Sequence, residues 1–167
     1  MNKNTALPYN VSVLIFVKNQ HGDFLLLKRN KKPNFGCWTP IGGKLHMQDG
    51  ESPFECAIRE AHEEAGLILS NSDLHLFSMI AEKSYEDTNH WLLFLFDCKK
   101  PIETLPEDIS EGSFQFFSRS EINQLTLPQT DKEILWSLYD NHRDGFVALK
   151  ANCSSKENLQ IILEECH

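Results

Sequence analysis

A single capped helix, preceded by a glycine turn, constrains the fold of this chain more than any other feature of its sequence. Ser52 stands at the N-cap position and Glu55 follows it by three residues, which is the pattern of a capping box. Pro53 falls at the first helical position, where its missing N–H is not needed. Gly66 falls where a helix ends in a left-handed residue. These signals predict a helix over residues 53–65.

The predicted helix has an apolar face and an acidic face. The apolar stripe, at the i, i+3, i+4, i+7 spacing, consists of Phe54, Ala57, Ile58, Ala61 and Ala65. On another side Glu60, Glu63 and Glu64 share an arc of about 100°, and Arg59 lies beside them. Carboxylates this close raise one another's pKa unless a cation is present, and magnesium is a cation that carboxylates hold. One interpretation is a metal site and the other is a solvated acidic face. Three glutamates alone favour the solvated face.

The wider spacing decides between these interpretations. Glu51, seven further residues and then residues 59–67 resemble the Nudix box, G-x5-E-x7-R-E-U-x-E-E-x-G-U, in which U is a bulky aliphatic residue. The second half matches at every required position, except that Ala61 is a small occupant of the first U. In the first half, seven residues rather than five separate Gly43 from Glu51. We therefore expect residues 44–50 to form a loop with a two-residue insertion.

The resemblance to the Nudix family implies a fold, a reaction and a metal. The implied fold belongs to the α/β class and is an α/β/α sandwich with a mixed β-sheet, which agrees with the order of the predicted elements. Nudix enzymes hydrolyse a nucleoside diphosphate linked to another moiety, usually with Mg²⁺ or Mn²⁺. The implied metal ligands are Glu60, Glu63, Glu64, the Gly43 carbonyl and, outside the box, Glu111. By the same resemblance Glu60 is a candidate general base, Arg59 orients a glutamate and Lys44 faces the phosphates.

Weaker matches outside the box concern the substrate. Over about residues 11–149 the chain is most similar to the MutT-like oxidised purine nucleoside triphosphatases, which include 8-oxo-dGTP diphosphatases. The resemblance implies that Asp131 hydrogen-bonds the purine edge and that Trp136 lies by the base. Their other interpretations are a helix N-terminal acid and a core aromatic residue, which are slightly favoured. Trp38 is expected either to stack on a base or to cap the core.

The expected reaction is hydrolysis of a purine nucleoside triphosphate, with an oxidised base as one option, to monophosphate and pyrophosphate. Three alternatives stay open: an RNA 5′-pyrophosphohydrolase, a hydrolase of ADP-ribose or another nucleoside diphosphate derivative, and a non-catalytic nucleotide-binding module. The module is disfavoured because all box glutamates are present. A basic run of Arg29, Lys31 and Lys32 is interpreted first as a solvated loop and second as a phosphate or single-strand contact.

Length and composition favour a single domain over residues 1–167, and the resemblance implies that it is a Nudix domain. The net charge of −8 disfavours a stable complex with long nucleic acid, but a small nucleotide substrate remains compatible because a bound metal supplies positive charge. The apolar runs are too short to cross a bilayer, and residues 1–10 lack the apolar core of a secretory signal. Five cysteines without a C-x-x-C pair favour the reducing cytoplasm. We expect a monomer or homodimer with no membrane partner.

Outside the box the sequence predicts several strands and two further helices. Strands are predicted at residues 11–17, 23–28, 74–85, 91–98, 113–117 and 146–150. The first two are expected to pair as a hairpin, and residues 29–43 to form an irregular loop in which Phe35 caps the core. Helices are predicted at residues 118–125 and 130–141, the second with a Thr130–Glu133 capping pair. Residues 159–163 fit either a strand or a helical turn.

Overall fold

The computed structural model describes residues 7–167; residues 1–6, which begin the segment tested above for a secretory signal, lie outside the described residues. The strands are β1 (Tyr9–Phe16), β2 (Phe24–Arg29), β3 (Trp38–Thr39), β4 (Ile41–Lys44), β5 (Leu74–Tyr85), β6 (Asn89–Cys98), β7 (Gly112–Phe117), β8 (Val147–Asn152) and β9 (Gln160–Cys166). The helices are α1 (Pro53–Ala65), α2 (Arg119–Ile122) and α3 (Trp136–His142), the last preceded by a π-helical turn at Asp131–Leu135. Short 3₁₀ turns lie at Met47–Asp49 and Asn71–Asp73.

Two sheets form the framework. The larger sheet has the strand order β4-β1-β6-β5-β8-β9, and the smaller has the order β3-β2-β7. The larger sheet is mixed, because β1 is parallel to β6 and β5 is parallel to β8 while the remaining pairs are antiparallel. Cys56, Ala57 and Ala61 of α1 pack in one core cluster with β1, and Trp136 and Tyr139 of α3 pack in a second. The expected α/β class with a mixed sheet between helices is confirmed.

Helix α1 begins and ends where the sequence predicts. The Ser52 hydroxyl accepts a hydrogen bond from the Glu55 N–H at 3.2 Å, and the Ser52 N–H donates to Glu55 Oε2 at 2.7 Å. Gly66 ends the helix with φ of 66°, in the left-handed region. Both ends of α1 are therefore fixed by local interactions.

The expected pairing of the first two strands and the expected irregular loop after them were wrong. Strands β1 and β2 belong to different sheets. The chain turns between them as in a hairpin, with a bridge from Lys18 to Phe24 and a hydrogen bond from the Leu25 N–H to the Val17 carbonyl at 2.9 Å, and the strands then diverge. The loop before the box contains β3 and β4. The strand predicted at residues 146–150 is confirmed as β8, one to two residues further along the chain, and the ambiguous tail forms the edge strand β9, which is one of its two expected forms.

Two local expectations also fail. Thr130 has helical φ and ψ and makes no side-chain cap, because its buried hydroxyl lies 3.9 Å from the Cys153 sulfur instead. Phe35 does not cap the core, since it is 69% exposed. Within the described residues, no helix is long and apolar enough to cross a membrane.

Candidate active site

A cavity of about 450 Å³ opens where β4 meets the acidic face of α1. Its lining includes the glycine turn at Gly42 and Gly43, together with Lys44 of the same strand. The charged side chains that line it are Arg29, Lys32, Lys44, Glu60, Glu64, Glu82, Glu111 and Asp131, and His46 also lines it. The carboxylates form two groups, and charges interact within each group. One group is Glu60, Glu64 and Glu111, and the other is Glu82 and Asp131. The cavity therefore has two acidic ends with different partners.

Arg59 makes hydrogen bonds to several residues beside the first end of the cavity. Its Nε and Nη2 donate to the two carboxylate oxygens of Glu51 at 2.6 and 2.9 Å, a two-point contact that fixes the guanidinium plane. This contact lowers the pKa of Glu51 to about 2. Nη1 donates to Glu60 Oε1 at 2.7 Å, and Nη2 also donates to the Lys44 carbonyl at 3.1 Å. Arg59 thus ties the loop before the helix to the carboxylate face of the helix.

Glu60 and Glu64 are the α1 carboxylates that face the cavity. The Gly42 N–H donates to Glu64 Oε2 at 3.2 Å. Burial, reinforced by the charge of Glu60, raises the pKa of Glu64 to about 8. Burial also raises the pKa of Glu60, although its hydrogen bond with Arg59 opposes the shift, and the charge of Glu111 acts on both carboxyls in the same direction. This end of the cavity therefore holds more negative charge than its protein surroundings stabilise.

Gly43 permits the close approach of the turn to the helix. A Cβ atom at this position would lie 2.2 Å from Glu60 Oε1 and 2.4 Å from Glu60 Cδ. The Gly43 carbonyl accepts a hydrogen bond from the Ser12 hydroxyl at 2.8 Å. A side chain at Gly43 would therefore displace the Glu60 carboxylate, whereas glycine leaves it against the backbone.

The residues at this end fit a hard divalent cation. Within the part of the chain that the structure describes, no three His, Cys, Asp or Glu side chains are already arranged as a metal cluster. Magnesium does not require one, since it is usually held by one or two carboxylates together with water and substrate phosphates. Glu60, Glu64 and Glu111 supply oxygen donors, and burial raises the pKa values of Glu60 and Glu64. A cation at these carboxylates would relieve the excess negative charge.

Of the other site residues predicted from the sequence, some lie at this cavity and some do not. The Glu63 side chain is 55% exposed, and its Oε2 lies 3.2 Å from Arg59 Nη1. Lys44 Nζ lies 5.3 Å from the ring centroid of Trp91, which also lines the cavity. The structure does not bring Trp38 or Trp136 to the cavity lining, since Trp38 packs edge-on against Phe117 and Trp136 is buried in the core.

The second acidic end contains Asp131 and a residue that sequence reasoning missed, Glu82. Both carboxyls are almost fully buried and line the cavity. Burial raises the pKa of Asp131 well above its usual value, and the charge of Glu82 adds to the effect. Burial also raises the pKa of Glu82 to about 7, with the Thr130 side chain opposing it. The signal was available in the alternation of β5, where Glu82 shares a face with the buried Ser78 and Ile80.

The chain folds as an α/β/α sandwich in which glutamates of a capped helix face a glycine turn. The family model described as NUDIX domain matches residues 8–138. The chain therefore belongs to the Nudix family, whose enzymes are pyrophosphohydrolases and generally use divalent metals.

Three relatives illustrate the similarity. The chain is 30% identical over 106 residues to an uncharacterized Nudix hydrolase, YvcI, from Bacillus subtilis (strain 168); the match covers 63% of this chain and 66% of that protein, just under two thirds of its length. A MutT protein from Methanosarcina mazei Go1 has a similar structure, with 26% identity, a TM-score of 0.68 and coverage of 82% of this chain and 96% of that one. A MutT protein from Bacillus halodurans gives 23% identity, a TM-score of 0.73 and coverage of 93% and 97%, and shows the fold.

Proposed function

We propose that this cavity hydrolyses a nucleoside triphosphate to the monophosphate and pyrophosphate, with a purine base and with Mg²⁺ or Mn²⁺ as the metal. The observation that carries the proposal is the division of one cavity into two acidic ends. One end combines the glycine turn with the carboxylates of α1 and suits a metal-bound phosphate chain. The other end has buried acids that suit the polar edge of a base. Oxidised purines such as 8-oxo-dGTP belong to the same proposal.

At the phosphate end, different residues are proposed to bind the metal, accept a proton and contact the phosphates. A bound divalent cation would neutralise charge on the phosphate oxygens and activate a water molecule. The residues proposed to hold it are Glu60, Glu63, Glu64, Glu111 and the Gly43 carbonyl. Glu60 is positioned against Gly43 by Arg59 and has a raised pKa, so it is suited to accept a proton from the attacking water. Lys44 would contact the phosphates from β4.

Two more cations extend the phosphate contacts. Arg29 and Lys32 line the cavity, so the basic run that the sequence left as a solvated loop contributes two of its three residues to the lining. Arg29 Nε donates to the Pro33 carbonyl at 2.8 Å, which holds its guanidinium near the loop, and its charge acts on Glu64. Arg29 is therefore proposed to face the phosphate chain, next to the α1 carboxylates.

The base end is proposed to read a purine through Asp131. Because burial favours its neutral form, the Asp131 carboxyl donates a hydrogen bond to an acceptor on the base as well as accepting one. Glu82 lies near enough for its charge to raise the pKa of Asp131, so it is a second polar group at the base edge. Trp91, Leu93 and Leu14 supply less polar walls. Direct contact of Trp38 or Trp136 with the base is not part of the proposal.

The test is a substrate panel with purified protein and Mg²⁺. The panel contains the four deoxynucleoside triphosphates, 8-oxo-dGTP, 2-oxo-dATP, ADP-ribose and dinucleoside polyphosphates, with products separated by chromatography. The proposal predicts that a purine triphosphate gives the highest kcat/KM and yields monophosphate and pyrophosphate. A preference for ADP-ribose would keep the metal site but overturn the assigned substrate. Binding of nucleotides without turnover of any of them would establish the non-catalytic module instead.

A further inference from the structure

Trp91 lies between the two ends of the active-site cavity. Its register partner on the neighbouring strand β5 is Glu82, which belongs to the base end. On the other side, Lys44 Nζ of the phosphate end lies 5.3 Å from the centroid of the Trp91 ring. All three side chains line the cavity. The indole ring is therefore close to a ligand at either end.

The strand register explains why these side chains share one wall. Lys44 of β4 is opposite Ser12 of β1, and Ser12 is in turn opposite Leu93 of β6. Trp91 precedes Leu93 by two residues, so its side chain lies on the same face of the sheet. Ser12 and Leu93 also line the cavity. Lys44 thus reaches Trp91 diagonally, across the single strand β1 that separates β4 from β6.

The Trp91 ring belongs partly to the core and partly to the cavity. Trp91 is half-buried and packs against the core cluster that contains the α3 side chains. Of the three tryptophans in the chain, Trp38 and Trp136 do not line the cavity and Trp91 does. An aromatic ring that faces a ligand cavity can stack on a base, and such stacking tolerates any base.

The Lys44 ammonium group and a stacked base would compete for the same ring. Because part of the ring packs against the core, the area open to a base is limited, and Lys44 lies over it. A contact between lysine and phosphate is a charge-assisted hydrogen bond, which is stronger than a cation–π contact at a partly exposed ring. Phosphate oxygens at the phosphate end would therefore draw the ammonium group off Trp91 and leave the ring to the base.

We propose that Trp91 is the stacking surface for the base and that Lys44 couples this surface to the phosphate end, because Lys44 leaves the ring when phosphate binds. This inference rests on the proposed function, which assigns the phosphates to one end of the cavity and the base to the other. Binding of phosphate and binding of the base then favour each other by the same factor, since coupling free energies are reciprocal. The coupling selects against nucleosides without phosphates, which must displace Lys44 without offering it another partner.

The test measures the binding of 2′-deoxyguanosine with and without pyrophosphate, in the presence of Mg²⁺. Binding is followed by NMR at the indole N–H signals of the three tryptophans, with the Trp91 signal assigned from Trp91→Phe. Saturating pyrophosphate is expected to tighten deoxyguanosine binding to the wild-type protein by about 2-fold to 5-fold, the factor that a partly exposed cation–π contact provides. Deoxyguanosine is expected to shift the Trp91 signal and to leave that of the buried Trp136 in place.

Variants separate the coupling from a structural role. Without pyrophosphate, Lys44→Ala is expected to bind deoxyguanosine about 2-fold to 5-fold more tightly than the wild type, and pyrophosphate should add no further gain. Trp91→Leu is expected to weaken deoxyguanosine binding by about 5-fold to 100-fold, while Trp91→Phe retains most of the affinity. Lys28→Ala is the matched control and should behave as the wild type. Lys28 Nζ lies 5.9 Å from the centroid of the Trp38 ring, and neither residue lines the cavity.

Three outcomes would overturn the inference. Weaker deoxyguanosine binding by Lys44→Ala would show that the ammonium group helps to hold the base. Equal affinity of the wild type with and without pyrophosphate would show that the two ends are independent, and an unchanged Trp91 signal would show that the base does not reach the ring. Any of these results together with hydrolysis of nucleoside triphosphates leaves the proposed function intact. The expected coupling in a protein that hydrolyses no substrate of the panel would support the inference and refute the proposed function.

Discussion

Replacing Gly43 by alanine separates the catalytic role that we propose for the glycine turn from its structural role. The added Cβ would stand 2.2 Å from Glu60 Oε1, whereas ordinary contact begins near 3.4 Å, so the carboxylate must retreat by about 1.2 Å. The atoms that must move are at the end of a side chain, so we expect a change in unfolding free energy within about 1 kcal/mol. A misplacement of about 1 Å at a reacting group lowers the rate by about 10²-fold, which is the expected loss in kcat/KM.

Gly42→Ala is the matched control one residue away. Its Cβ would lie 2.0 Å from the Val13 carbonyl oxygen, which is backbone and cannot rotate aside. We expect this variant to lose at least about 1–3 kcal/mol of stability. The assay is denaturant unfolding of both variants together with steady-state hydrolysis of the best substrate from the panel. A Gly43→Ala protein with wild-type kcat/KM would refute the reasoning, because the position of the Glu60 carboxylate would then be irrelevant to the reaction.

Three further changes test other parts of the account. Arg59→Lys keeps the charge but not the two-point contact with Glu51, so we expect a loss of about 1–3 kcal/mol in urea unfolding and reduced kcat. In wild-type protein the pKa of Glu82 is about 7, above its ordinary 4.5, so ionisation of this buried carboxyl disfavours the folded state and stability falls as the pH rises between these values. The unfolding free energy of Glu82→Gln should therefore decrease by about 3 kcal/mol less than that of the wild type between pH 5 and pH 8. Asp131→Asn is expected to lower kcat/KM for the preferred purine triphosphate by about 10-fold to 100-fold and to leave pyrimidine triphosphates nearly unchanged; equal losses for both would show that Asp131 does not read the base.

The parts of the fold that local signals specify were predictable. Ser52 and Glu55, Pro53 and Gly66 fix both ends of α1 through interactions within a few residues, so its bounds match the expectation. The pairing of β1 with β6 and of β2 with β7 joins residues far apart in sequence, and no local pattern encodes it. The proximity of β1 and β2 in the chain therefore suggested that the two strands pair along their length, whereas they pair only beside the turn and then enter different sheets.

In the candidate site, too, the features set by local sequence were predictable and those set by distant contacts were not. The helical wheel places Glu60 and Glu64 on one face, and the structure brings both to a single cavity. Glu82 was missed because its role depends on which face of β5 is inward and on what approaches that face. Thr130 was misread for a related reason, since its hydroxyl contacts Cys153, a residue 23 positions away. Tertiary contacts determine these assignments, and a single sequence carries only indirect signals of them.

The central claim is that the carboxylates of α1 hold a divalent cation that the hydrolysis requires. The most direct test measures Mn²⁺ binding and Mg²⁺-dependent turnover in wild-type protein, in Glu64→Gln, and in Glu103→Gln as an exposed control outside the cavity. The account predicts that Glu64→Gln binds Mn²⁺ at least about 10-fold more weakly and loses about 10²-fold or more in kcat, while Glu103→Gln matches the wild type. A Glu64→Gln protein that keeps both cation affinity and turnover would contradict it.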